Sequence, residues 1–200
     1  MLYPRPCVLP HGKIFLFLKE PFMTPKATVM DKEALLRAVA RITHQVIEKN
    51  CGVDDVCILG VKSRGVPLAK MLCENISRFA GADVPMGYID ITRHRDDISD
   101  EDKRASAGES SIPCDITDKN VIIVDDVLYT GRTSRAAIES VFSYGRPKSV
   151  QLLVLIDRGH RELPIRPDYV GKNVPTSKSE TVRVLFDEID GDTGVYICDL

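Results

Sequence analysis

The run Val121-Ile122-Ile123-Val124-Asp125-Asp126-Val127-Leu128-Tyr129-Thr130-Gly131-Arg132-Thr133 constrains this chain more than any other stretch. Its apolar, mostly β-branched start predicts a buried strand, and two carboxylates stand where that strand ends. A short turn then brings hydroxyls, a glycine and an arginine to the start of a helix. In an open α/β sheet, ligands bind outside the carboxyl ends of the strands. The first turn of a helix offers unpaired N–H groups to an anion. One peptide therefore presents carboxylates for hydroxyls beside a cradle for phosphate, and a ribose 5-phosphate is the simplest ligand with both. Two plainer accounts exist: the acids cap the next helix, or they form the acidic pair of a receiver domain. A receiver carries that pair on its first strand, whereas here it lies past mid-chain. A Walker loop is excluded, because no Gly-x-x-x-x-Gly-Lys-Ser/Thr occurs. The Thr-Gly-Arg-Thr after the acids favours the ribose phosphate.

Val-Asp-Asp-Val-Leu-Tyr-Thr-Gly-Arg-Thr resembles the phosphoribosyl-pyrophosphate (PRPP) motif of type I phosphoribosyltransferases. The resemblance implies that Asp125 and Asp126 hold the ribose hydroxyls and act as the catalytic acids. It assigns Thr130, Gly131, Arg132 and Thr133 to the 5-phosphate. It also implies the α/β fold of that family: a central, mostly parallel sheet flanked by helices, with a small hood and a flexible loop.

The remaining chain is consistent with such a domain. Two hundred residues suffice for one core. A net charge of -2 gives no overall pull toward nucleic acid or membrane, so any RNA-binding face must be a local patch. Cys7, Cys51, Cys57, Cys73, Cys114 and Cys198 form no Cys-x-x-Cys pair and read as reduced packing thiols of a cytoplasmic protein. The apolar Ile14–Leu18 is far too short to span a membrane. The four histidines are scattered, which argues against a protein-built metal site.

Residues 1–30 carry five prolines and no periodicity, and read as a disordered extension ahead of a domain over 31–200. Met23 is the expected start of the working protein. Asp31 is a good N-cap for a first helix whose core face is Leu35, Ala38, Val39, Ile42 and Val46. Arg37, Arg41 and His44 fall on the opposite face, either as a solvated basic stripe or as phosphate contacts. A strand over Val56–Val61 runs into Lys62-Ser63-Arg64-Gly65 and a helix over Val66–Phe79. Arg64 offers a planar fork of donors and Gly65 allows close backbone approach; beside the Asp-Asp strand, Ser63, Arg64 and Gly65 resemble the family's pyrophosphate loop. Val84–Ile91 reads as a strand. The polar stretch 92–115 stands where the family has its flexible loop, with Arg93 and Arg95 either meeting the pyrophosphate on closure or belonging to a merely solvated loop. A helix to about Tyr144, a strand over Val150–Ile156, a cation-dense segment 157–175 and a last strand pair, around Val182–Phe186 and Val195–Cys198, complete the chain.

Several motifs in one order narrow the resemblance further. Ile89-Asp90-Ile91-Thr92, Arg95-Asp96-Asp97, the Val121–Thr133 run, Asp157-Arg158-Gly159-His160-Arg161-Glu162-Leu163-Pro164-Ile165-Arg166 and Gly171-Lys172-Asn173 are similar to the bifunctional pyrimidine-operon attenuators with uracil phosphoribosyltransferase activity, over about residues 27–197. Membership implies synthesis of UMP from uracil and PRPP, with Mg2+ carried mainly on PRPP. It also implies UMP-dependent binding of a leader mRNA stem-loop that favours transcription termination, in a homo-oligomer. The RNA face so implied comprises Arg41, His44, Lys62, Ser63, His160, Arg161, Arg166 and Lys172. Ala40 departs from the pattern, where a threonine is expected. An RNA-binding attenuator with vestigial catalysis, and a plain transferase for uracil or another base, remain as alternatives.

Overall fold

The computed structural model describes residues 7–8, 14–15, 25–96, 99, 101 and 108–200. Cys7–Val8 (β1) and Ile14–Phe15 (β2) pair as a two-rung antiparallel ladder. The rest of residues 1–24, and with it the expected start at Met23, lies outside the described residues. Pro25–Met30 (β3) is a strand, so six residues grouped with the extension by sequence belong to a sheet. Lys32–Lys49 (α1) begins where expected, with the Asp31 carboxylate accepting from the Ala34 N–H at 2.7 Å. There follow Val56–Val61 (β4), Gly65–Ala80 (α2), Met86–Ile89 (β5), a single 3-10 turn at Thr92–His94, Asn120–Leu128 (β6) and Arg132–Phe142 (α3). Ser149–Asp157 (β7), Tyr169–Asn173 (β8), Glu180–Leu185 (β9), a helical turn at Asp187–Asp190 and Gly194–Asp199 (β10) end the chain.

The main sheet has the order β5-β4-β6-β7-β8, parallel throughout. Alternation along its strands feeds two cores. Ile58, Ile122 and Val124 pack with Leu35, Ile42 and Leu72 of α1 and α2, while Leu59, Val121 and Ile123 pack with Ala136, Ala137 and Val141 of α3. β3, β10 and β9 form a separate antiparallel sheet, the expected hood. The expected C-terminal hairpin is therefore present, and β3 adds a third strand to it.

Three local differences from the sequence reading have physical reasons. β8 was read as part of a cation-dense segment; its Tyr-Val-Gly-Lys-Asn is an edge strand whose last two residues are exposed. Phe142, an apolar residue of the helix expected to run to about Tyr144, is 54% exposed at the end of α3. β6 does not stop before the acids: pairing with β4 ends at Val124, but pairing with β7 runs on through Asp125, Val127 and Leu128. Among the described residues, no helix is long and apolar enough to cross a membrane.

Candidate active site

β4 turns away into the Lys62–Gly65 loop while β6 continues, and that one-sided overhang opens a cleft. The cleft, of about 280 Å³, is lined by Lys62, Ser63, Arg64, Asp90, Thr92, Arg95, Asp125, Asp126 and Thr133, with Val61, Ile91 and Val127 as its apolar wall. It lies at the carboxyl ends of the strands, where an open parallel sheet gathers loops and helix starts. Gly65 brings α2 against β6: a Cβ there would stand 2.3 Å from the Val124 carbonyl oxygen, so no side chain fits. The peptide between Lys62 and Ser63 is cis.

Asp125 is buried, and its Oδ1 accepts from the Asp126 N–H at 3.0 Å. That carboxylate thus pairs the neighbouring amide where β4 no longer runs alongside. Burial pushes the Asp125 carboxyl well above the usual carboxylate range, and the adjacent Asp126 charge pushes it the same way. Asp126 is also raised by burial, with the Arg64 guanidinium working against the rise. Asp90 moves down: its burial is outweighed by hydrogen bonds from Thr92 and by the Lys62 ammonium 3.5 Å away.

The turn after β6 is organised by Gly131, whose φ of 94° is a left-handed conformation that glycine adopts without strain. It is the N-cap of α3, whose first turn carries no acidic residue of its own. Thr133 reaches the cleft wall, while Thr130 Oγ1 accepts from the Arg132 N–H at 3.3 Å. Arg132 is a bridge: Nε donates to Glu162 at 2.8 Å and Nη1 to Asp96 at 2.6 Å. Arg135 donates to the His94 carbonyl at 2.6 Å, which ties the start of the 92–115 loop to α3. Of the two loop arginines, Arg95 lines the cleft and Arg93 is exposed outside it. Loop residues 97–98, 100 and 102–107 lie outside the described residues.

The residues expected to face RNA fall into three places. Lys62 and Ser63 line the cleft, with the Lys62 ammonium also donating to the Glu109 carbonyl at 2.8 Å and lying over the Tyr88 ring. His160 and Arg161 are in the loop after β7. The His160 ring meets the Thr176 carbonyl at 2.6 Å, and Arg161 donates to Asp157, Ile165, Tyr129 and Gly159. Arg41 donates to the Val170 and Gly171 carbonyls of β8, and neighbouring Lys172 donates to the Val29 carbonyl. Its helix neighbour His44 stacks on Phe79 of α2, with ring centroids 4.4 Å apart. Arg166 is exposed and makes no ion pair among the described residues.

Sequence reasoning assigned no role to Asp90, Arg158, Arg135 or Asp190. Asp90 stood in a quoted motif at a strand end, the signal that found Asp125. Arg158 is 5% exposed, donates to Thr176, Thr181 and the Glu180 carbonyl, and lies 4.0 Å over the Tyr129 ring. It fastens the hood to the main sheet, a contact between residues more than twenty apart that no local pattern signals. Of the cysteines expected as packing thiols, Cys51, Cys57, Cys73, Cys114 and Cys198 are free; Cys51 is exposed rather than packed, the side chain of Cys7 lies outside the description, and burial pushes Cys57 and Cys73 up to about 12.

The phosphoribosyl transferase domain family matches residues 27–188. The bifunctional protein PyrR of Acetivibrio thermocellus is 56% identical over 178 residues, covering 89% of this chain and 97% of its own. The bifunctional protein PyrR of Deinococcus radiodurans is 50% identical over 175 residues, covering 88% and 96%. Among solved structures, a hypoxanthine-guanine phosphoribosyltransferase of Bacillus anthracis superposes with a TM-score of 0.65 at 22% identity, over 89% of this chain and 99% of that one. The hypoxanthine phosphoribosyltransferase of Trypanosoma cruzi gives 0.66 at 18%, over 88% and 97%. These two establish the fold, a type I phosphoribosyltransferase sheet with its hood. The match over most of the chain, at half or more of its residues, settles the closer kinship: this chain belongs to the phosphoribosyl transferase family and, within it, to the bifunctional PyrR proteins.

Proposed function

We propose that this protein makes UMP and pyrophosphate from uracil and PRPP, and that with UMP bound it recognises the leader mRNA of pyrimidine genes and favours termination. The observation that carries the catalytic half is the overhang of β6, which sets Asp125 and Asp126 between Ser63-Arg64 on one side and Thr133 on the other. Hydroxyls, pyrophosphate and 5-phosphate of one PRPP molecule then meet acids, guanidinium and helix start in the order of the substrate's own groups. Uracil N1 attacks the anomeric carbon, the bond to pyrophosphate breaks with its electron pair, and the N1 proton is lost. Positive charge develops on the sugar, and the ionised acids stabilise it while fixing the hydroxyls. Arg64, and Arg95 on closure of the loop, take up the charge on the leaving group.

Mg2+ suits this cleft, because Asp90, Asp125 and Asp126 are hard oxygen donors. Among the described residues no group of three or more His, Cys, Asp or Glu is gathered for a metal; in this reading the ion would be carried mainly on PRPP, with these aspartates as outer partners. When bound it neutralises pyrophosphate charge. The protein acts in the cytoplasm, as a homo-oligomer.

The test of catalysis is UMP formation from uracil and PRPP with Mg2+, compared with hypoxanthine and orotate as acceptors; turnover of those and not of uracil overturns the assignment. PRPP affinity is expected to fall with acid. The free acid pair retains a proton above the usual carboxylate range, and accepting ribose hydroxyls favours its ionised form. Binding therefore releases a proton, and its affinity weakens as pH drops through the raised range. Calorimetric Kd values of the parent and of Asp126→Asn, from acid to neutral pH, check this, the difference between the two removing the titration of PRPP itself. An affinity independent of pH there counts against the pair as the hydroxyl site.

For RNA, the exposed groups Arg166 and Lys172 support backbone contact. Gel-shift titration with the pyrimidine leader RNA, with and without UMP, tests it. Arg166→Ala or Lys172→Ala is expected to weaken binding by about 1–2 kcal/mol and to lower the salt slope by about 1, with UMP synthesis unchanged. An RNA affinity unmoved by both substitutions leaves these side chains as solvated groups.

A further inference from the structure

We propose that Asp190, on the turn between the last two hood strands, is a positioning residue for pyrophosphate: it holds the Arg64 guanidinium in the orientation that meets the leaving group. The proposal rests on the reading of Ser63–Gly65 as the pyrophosphate loop.

Arg64 Nη2 donates to Asp190 Oδ1 at 2.9 Å, and the other oxygen, Oδ2, accepts from the Phe186 N–H at 3.1 Å. The carboxylate is thus fixed at both ends, by the cleft arginine and by the backbone of its own turn. Its side chain is only 15% exposed, and that of Arg64 30%. The turn is itself tied to α2, since Lys70 pairs with Glu188 at 2.9 Å. A guanidinium carries five donors in a fixed fork. Asp190 takes one of them, on a side chain that also lines the cleft. Arg64 Nε is buried without a hydrogen-bond partner, so the guanidinium is anchored through the Asp190 pair.

An acidic group beside an anion site is otherwise hard to explain. Here it counters a second attraction. Arg64 lies close enough to Asp126 to lower that carboxyl's proton affinity. Without Asp190, the guanidinium is free to turn onto the acids that the ribose hydroxyls require. Asp190 therefore separates the two halves of the substrate site.

The test uses the full chain, the near-isosteric Asp190→Asn, and two ligands: Mg2+-pyrophosphate and UMP, which shares the ribose 5-phosphate but lacks pyrophosphate. The expected result is about a tenfold rise in the Kd for pyrophosphate and in KM for PRPP. The Kd for UMP stays unchanged and kcat stays within about twofold. Arg64→Ala is measured alongside. If Arg64→Ala leaves pyrophosphate binding intact, the pyrophosphate-loop reading itself fails. If Arg64→Ala weakens it and Asp190→Asn does not, Asp190 alone is overturned. Equal losses of pyrophosphate and UMP affinity in Asp190→Asn also overturn the proposal, because they mark a damaged cleft rather than a misdirected arginine.

Discussion

Asp126→Asn is expected to lower uracil transfer by a factor of ~10²–10³ while raising the melting temperature. The first effect follows from removing a preorganised charge from a site where positive charge develops on the sugar. The second follows from what the pair costs the empty protein. Both carboxyls are pushed upward, chiefly by burial, and Asp125 is pushed further by its neighbour. Between the unfolded carboxylate value and the raised folded one, the folded chain binds more protons than the unfolded chain. Stability therefore falls as pH rises through that window, and the deficit is complete above it. Asparagine keeps the shape and removes the charge. The gain is expected to be a few degrees, at roughly 2–4 °C per kcal/mol for a chain of this size, and greatest at neutral pH. It should vanish below about pH 4, where the acids of the parent are neutral too. Paired melts of parent and variant at pH 7 and pH 4, with turnover at pH 7, check both. A variant that keeps near-normal turnover refutes the catalytic assignment, and one that melts lower at pH 7 refutes the electrostatic argument.

Arg161→Ala is expected to destabilise the protein by about 2–4 kcal/mol and to abolish most transferase activity, not merely to weaken RNA binding. By sequence, Arg161 is one cation in a dense basic loop. In the fold it is a hub: Nη2 pairs with Asp157 at 2.5 Å, Nε donates to the Ile165 carbonyl at 3.0 Å, and Nη1 donates to the Tyr129 carbonyl at 2.8 Å. Its removal leaves Asp157 and these carbonyls without their donor and frees the loop after β7 from the turn after β6. Thermal melts and PRPP turnover of Arg161→Ala measure the two losses. A variant with parental Tm and turnover shows that the hub is dispensable. Loss of RNA binding in Arg161→Ala is therefore ambiguous, and Arg166 and Lys172 are the cleaner probes.

This contrast marks what the chain discloses without its fold. That Asp125, Asp126, Arg64 and Thr133 share one cleft was legible because the pattern is local: acids or donors at the end of an apolar run, followed by a glycine and a helix. The first helix was legible from Asp31 and the spacing of Leu35 to Val46. β3 and β8 were not, because both are short, partly polar strands that exist through their neighbours. Arg158, Asp190 and the hub role of Arg161 depend on partners distant in sequence or on backbone carbonyls, which carry no residue signature. Charge alone cannot tell an arginine that faces solvent from one that closes a loop.

The two loops at the top of β6 and β7 have a further consequence. The Glu162 and Leu163 amides donate to the Thr130 carbonyl at 2.9 and 3.1 Å, so the loop that carries His160 and Arg166 is bonded to the turn proposed for the 5-phosphate. In the function proposed above, nucleotide and RNA act on this one seam, and thermodynamic reciprocity governs it. By whatever factor UMP tightens the RNA complex, RNA tightens the hold on UMP. A regulator built this way retains its effector longest when it is already on a transcript, and a free copy gives it up first as the pyrimidine supply falls.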